Sequence, residues 1–158
     1  MDRVNRRSRA DTGQIDLREV FDPGGLDDLD PTECWRLLAT QPVGRLAVVV
    51  GHYPLVFPVN YVFDADAIVF RTAPGTKLSG AAMGRVAFEV DSVDETTQTG
   101  WSVIVEGVGN EITSALDHHS EQLRQLEVEP WVPGQRARWL EILHERITGR
   151  RLGAREKP

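Results

Sequence analysis

The stretch Ala67 to Leu78, AIVFRTAPGTKL, changes structural type twice within twelve residues. Ala67 to Thr72 is dense in β-branched and aromatic side chains and predicts a strand. Ala73-Pro74-Gly75 then turns the chain, and Thr76 stands where the first residue of a short helix is capped, with Met83-Gly84 closing that helix. A helix start presents free backbone N–H groups and the positive end of the helix dipole. Arg71, Thr72, Thr76 and Lys77 add a guanidinium, two hydroxyls and an ammonium, a set matched to a phosphate dianion. A capped helix with solvated charges accounts for the same residues equally well. The stretch is neither a Walker loop nor a dinucleotide-binding glycine fingerprint.

Both flanks of this stretch read as strands. Arg45 to Val50, a turn at Gly51-His52-Tyr53-Pro54, and Leu55 to Phe63 form a hairpin, and Asp64-Ala65-Asp66 turns the chain into Ala67. Downstream, Arg85 to Asp91 and Gly100 to Thr113 flank an acidic, Thr-rich connection. About five closely spaced strands point to a small barrel. Asp30-Pro31-Thr32-Glu33 places a cap, a proline at the first helical position and an early acid, so a helix is expected from here, with Cys34, Leu37 and Leu38 inward and Pro42 and Gly44 ending it. A second helix is expected over Ser114 to Leu126, with Leu116, Leu123 and Leu126 inward, broken by Trp131-Val132-Pro133-Gly134. For Arg136 to Ile147 the periodicity of Trp139, Leu140, Leu143 and Ile147 favours a helix over a strand. Residues 1–28, mixed in Arg, Asp, Gly and Pro, read as a flexible leader; 29–152 form one domain and 153–158 a tail.

Composition narrows the function classes. The 158 residues are 41% hydrophobic and 27% charged, enough for one buried core and a wetted surface. A net charge of -6 opposes a general role in nucleic-acid binding, because the Lys and Arg surplus that neutralises phosphates is missing. The basic residues Arg3, Arg6, Arg7 and Arg9 read as a solvated tail. No apolar run is long enough to span a membrane and no export signal is visible, so a cytoplasmic setting is expected. With a single cysteine, Cys34, neither an internal disulfide nor a cysteine metal cluster can form.

Other chemistries find less support. Asp117, His118 and His119 are neighbours, and on a helix they point about 100° apart and cannot meet one ion, so a solvated face is expected. His52 and His144 are isolated. Cys34 reads as a small core residue, and Trp35, Trp101, Trp131 and Trp139 as core or interface residues, Trp101 and Trp131 being the two to test for ligand contact. Glu106 suits a barrel-end partner for an arginine better than a general base.

The blocks PVGRLAVVV, PLVFPVNYVFD, IVFRTAPGTKL, VAFEVD, GWSVIVEG and ITGRR occur in an order that resembles the pyridoxamine-phosphate-oxidase-like flavoproteins, in particular the branch that includes nitroimidazole-resistance reductases. The resemblance covers Pro31 to Leu152. It implies a mainly β fold, a split β-barrel with short peripheral helices, and a homodimer with an FMN in each of two clefts between subunits. It places Arg71, Thr72, Thr76 and Lys77 on the FMN phosphate, and Val59, Asn60 and Tyr61 along the isoalloxazine ring. It makes Ser102 a flavin contact with Trp101 as its neighbour, and lets Arg150 reach the cofactor held mainly by the other subunit. It also implies that Trp139 to Leu143 is a barrel strand, against the periodicity. The activity implied is an FMN-dependent oxidoreductase passing hydride or electrons from a reduced nicotinamide, NAD(P)H, to a small flat acceptor. A flavin-binding or sensing module without turnover, or a barrel holding a deazaflavin or haem, is the alternative. The Arg and His with which the family's oxidases bind pyridoxine phosphate have no counterpart before Pro158, so that reaction is not expected.

Overall fold

The structure, a computed structural model, describes residues 26–65, 67–74, 83–112 and 118–153. In chain order the elements are β1 (Leu26–Leu29), α1 (Pro31–Leu38), β2 (Val43–Val50), β3 (Tyr53–Asp64), β4 (Ala67–Thr72), β5 (Gly84–Asp94), β6 (Thr99–Glu111), α2 (His118–Arg124) and β7 (Arg138–Leu152). All strand pairings are antiparallel, in the order β1-β7-β4-β3-β2-β5-β6. The last strand, β7, pairs with β4 through Arg138–Leu143 and with β6 through Leu140–Leu152, which closes the sheet into a barrel. Closure staggers the strands. Following one row of partners from Trp139 on β7 around the sheet returns to β7 at Arg150, eleven residues further along.

The barrel interior is full. Leu46, Ile68, Phe70, Phe88, Val90, Val103, Val105, Leu140 and Ile142 have no exposed surface and form one cluster. Gly44 leaves room for it, because a methyl group there would come 2.1 Å from Cζ of Phe88. One end is plugged by α1. Asp30 accepts a bond from the Glu33 amide at 3.0 Å, Pro31 opens the helix, and Cys34, Leu37 and Leu38 turn inward, as their spacing requires. The Tyr61 hydroxyl donates to the Leu38 carbonyl and satisfies the end of this helix. Glu33 ties the helix to β7 through Arg151 at 2.7 Å. Gly149 lets the helix approach, since a Cβ there would lie 2.6 Å from the Cys34 sulfur.

A second, smaller cluster lies on the outside of β4. Ala67 and Val69 face outward there and are covered by Ile112, Leu123 and Val128. We call the described segment that covers them, 118–137, the strap.

The strand and helix expectations stand with three corrections. Leu26–Leu29 pairs with β7 and is not part of a leader, because Leu29 packs against the core. The segment from Arg138 is a strand to Leu152, so the helical period fails and the family-based reading holds: Leu140 and Ile142 alternate inward with the partly buried, outward-facing Trp139 and Glu141. The β5–β6 hairpin is longer than expected, reaching Asp94 and Thr99. The helix at Thr76, Leu116, and the remaining leader and tail positions lie outside the described residues, whereas Leu123 and Leu126 face the second cluster as expected.

Two measurements probe these features. Gly44→Ala overpacks the interior and is expected to lower unfolding free energy by about 1–3 kcal/mol in urea titrations. Adding Phe88→Leu should recover part of that loss, whereas additive losses would place the strain elsewhere. The bonds of Glu33 to Arg36 and Arg151 hold its carboxyl at about 2, below the ordinary 4.5. A depressed carboxyl contributes stability that is present above 4.5 and lost as the pH falls toward about 2. Glu33→Gln should therefore flatten the acid limb of the stability curve in that window and leave its slope near neutrality unchanged.

Candidate functional site

Strand alternation sorts the expected site residues into two sets. Val59 and Tyr61 on β3, Thr72 on β4 and Trp101 on β6 turn toward the interior side. Val59 and Trp101 pack against the main cluster, Tyr61 is 8% exposed with its ring edge-on to Phe88, and Thr72 is 6% exposed. Asn60, Arg71, Ser102 and Arg150 face outward. The Tyr61 side chain lies in the core, which leaves its backbone toward the outer face, and Arg71 and Thr72 leave opposite faces of β4.

The outward set falls on one row across the strands. Arg71 lies opposite Trp139, and the β3–β4 register next to Tyr61↔Phe70 puts Asn60 opposite Arg71. Asn60 pairs with Val43, which the Arg45↔Glu89 register carries to Asp91. Asp91 pairs with Ser102, Ser102 with Arg150, and Arg150 with Asp28. Four of the ten expected residues thus share one line of the outer surface, a relation that barrel closure creates and linear spacing hides. Thr76 and Lys77 lie outside the described residues.

At the Arg71 end the side chains are already bonded within the chain. Arg71 donates from Nε to the Arg136 carbonyl at 2.9 Å and from Nη1 to the Val128 carbonyl at 3.4 Å, with its guanidinium 5.0 Å from the Trp139 ring centre. Asn60 donates to the Pro42 carbonyl at 3.0 Å and accepts from the Trp131 amide at 2.8 Å. Both residues hold the strap. The indole of Trp131 nevertheless stays 69% exposed, beside Val132 at 59%.

The Ser102 end opens into a cavity of about 1010 Å³ between β1, α1, the β5–β6 hairpin and the end of β7. Its apolar surface comes from Leu26, Leu29, Val93, Trp101, Ile104 and Leu152, and its polar groups include Asp28, Glu89, Asp91, Ser102, Thr148 and Arg150. Mostly apolar walls with a few convergent polar groups suit a flat amphipathic ligand. Arg45 bonds Asp91 at 2.6 Å and Glu89 at 3.0 Å. Burial and the Asp91 charge still raise the Glu89 carboxyl above its ordinary value against the pull of Arg45. Arg150 approaches Asp28 at 3.9 Å.

The remaining groups stay outside this geometry. Glu106 meets Arg146 at 3.6 Å, the arginine partnership expected for it. His118 and His119 are exposed, and His119 pairs with Glu141 at 3.2 Å. His144 sits edge-on to Trp35, and burial raises the Cys34 thiol. No group of three or more metal-ligating side chains occurs among the described residues. No helix among them is long and apolar enough to cross a membrane. Sequence reading missed Asp91 and Asp28 in the row, and the latching role of Asn60. The row has no local signal, while the break at Trp131-Val132-Pro133-Gly134 did mark the strap.

Comparison with known proteins agrees with this architecture. The structure of the FAD binding protein from Mycobacterium smegmatis is 35% identical, covering 81% of this chain and 99% of that one, with a TM-score of 0.60. An uncharacterized Mycobacterium tuberculosis protein, Rv0080, is 32% identical over 80% of this chain and 86% of its own length. A candidate 5-nitroimidazole antibiotic resistance protein from Bacteroides thetaiotaomicron shares the fold at 12% identity, with a TM-score of 0.57 over 81% of this chain and 89% of that one. The family model for pyridoxamine 5'-phosphate oxidase matches residues 30–151, from the cap of α1 to Arg151 near the end of β7, and the chain belongs to that family.

Proposed function

We propose that the protein binds a phosphorylated flavin on the outer surface of its barrel and passes hydride or electrons from NAD(P)H to a small flat acceptor. The observation that carries this reading is the outward row from Arg71 through Asn60 to Ser102 and Arg150. The interior is packed to exclusion, so a flavin has no room inside. The outside of a barrel is convex, and a ring lying on it needs a second wall. A homodimer supplies one: Lys77 and the Arg71 N–H groups not bonded to the strap would hold the phosphate on one protomer, while the Ser102–Arg150 cavity of its partner receives the ring. Flavin performs the redox step itself, so the chain's own residues need only bind, orient and exclude water.

FMN is the cofactor that the sequence favours. FAD is the second reading, and the mycobacterial FAD binding protein at 35% identity favours it. Both carry the phosphate that Lys77 would meet, so the shared recognition is of a riboflavin phosphate ester.

Titration of the apoprotein with FMN, FAD and riboflavin, read by flavin fluorescence, separates these. A charge-assisted phosphate contact predicts riboflavin binding at least about tenfold weaker than one of the phosphorylated forms. Equal affinity for all three would remove the phosphate from the site. Lys77→Ala should weaken the phosphorylated flavins and leave riboflavin unchanged. With flavin bound, anaerobic NAD(P)H should bleach its visible band and a nitroaromatic acceptor should restore it. A flavin that stays oxidised under NADPH and NADH would leave a binding module without turnover.

Ser102 and Arg150 divide the recognition differently. A neutral hydrogen bond is worth about 0.5–1.5 kcal/mol net, so Ser102→Ala should weaken binding no more than roughly tenfold while shifting the flavin midpoint potential. An unchanged potential would take Ser102 off the ring.

A further inference from the structure

We infer that Trp131 is delivered in trans into the Ser102–Arg150 cavity of a second copy of this chain and forms one wall of the composite site. The inference rests on the two-copy site proposed above and names the residue that seals it. Trp131 is an aromatic of large area left 69% exposed, with Val132 beside it at 59%. Its backbone is nevertheless held on three sides: Asn60 accepts its amide hydrogen, and Arg71 binds the Val128 and Arg136 carbonyls that flank it. Fixing the backbone of a loop while leaving its largest side chain in water orders that side chain for a contact outside the chain.

The same molecule carries the complementary hollow. The cavity of about 1010 Å³ is lined by Leu26, Leu29, Val93 and Ile104, of which Val93 is 68% and Ile104 37% exposed. Knob and hollow lie on the same outer face. Asn60, which holds Trp131, is three strands from Ser102 along the outward row, about 15 Å at the usual strand spacing. A twofold axis passing between them exchanges the two features, so the Trp131 of each copy meets the cavity of the other. The outward side chains Val49 and Val56, 66% and 60% exposed, extend the apolar surface of this face on β2 and β3. In this arrangement Asn60 is a positioning residue that acts through Trp131.

Cross-linking tests the contact without reference to any flavin. Cys34 is buried, so the native thiol stays out of reach of a short bis-maleimide. Trp131→Cys combined with Ile104→Cys should give a covalent dimer on a denaturing gel, while each single variant and the native chain remain monomeric. Trp131→Ala should raise the dimer dissociation constant by about thirtyfold, the effect of losing a buried aromatic anchor. Asn60→Ala should act in the same direction and less, with Asn60→Asp, which keeps the oxygen that accepts from Trp131 but loses the donor to the Pro42 carbonyl, restoring part of the loss. A protein that is dimeric by light scattering yet gives no cross-link in the double variant overturns the inference, and so does a monomer. Cross-linking without flavin binding would overturn the flavin reading and leave this contact standing. Flavin binding without cross-linking would do the reverse.

Discussion

The double pairing of β7 governs the rest of the structure. A single strand bonded to β4 on one side and β6 on the other removes both of those edges, and it does so only because the strand is long enough to serve each at a different height. The stagger that follows sets which residues from distant parts of the chain become neighbours. It places Arg71 beside Trp139 and Ser102 beside Arg150, and so lays a line of outward side chains around the barrel. A register shift between Glu106 and Gly107 lets β7 stay bonded to β6 while its inward parity changes. Gly107 permits this close approach: a Cβ there would sit 2.1 Å from the Leu143 carbonyl oxygen.

Closure also divides the chemistry. Small barrels fill their lumen with side chains, and here nine core side chains have no exposed surface, so the interior leaves no room for a flat ligand. The strap covers the outside of β4, while β2, β3 and β5 keep the exposed valines Val49, Val56 and Val93. Arg71 serves the boundary between these regions. Its guanidinium stacks on Trp139 and bonds two strap carbonyls, a use of all the geometric advantages that arginine has over lysine.

Most of the fold was legible in the sequence because its signals are local. The Asp30-Pro31 cap announces α1, and the alternation in Arg45–Val50 announces β2. Turn residues at Gly51, Asp64 and Pro74 punctuate the strands. β7 was not legible from periodicity, since Trp139, Leu140, Leu143 and Ile147 favour a helical stripe; the pairing partners on β4 and β6 override it. β1 was hidden for a similar reason. Four residues flanked by glycine and aspartate carry almost no pattern, and their strand exists because β7 offers an edge. The candidate site was half legible. Motif blocks named Asn60, Arg71, Ser102 and Arg150, which share the outward row, together with Val59, Tyr61, Thr72 and Trp101, whose side chains alternate to the other face. A motif records neighbours in sequence, and a strand sends neighbours in opposite directions.

The position of β7 at the end of the described chain has a consequence for how the protein is made. During synthesis β2 to β6 leave the ribosome first, with the edges of β4 and β6 unpaired and the apolar face of the sheet open to water. Nothing in those strands can complete the barrel until Arg138–Leu152 emerges, and the same strand then supplies the edge for β1 at the opposite end of the domain. The nascent chain therefore passes through an interval as an open sheet, and a message truncated before β7 would encode a species suited to aggregation or chaperone capture rather than a smaller version of the fold.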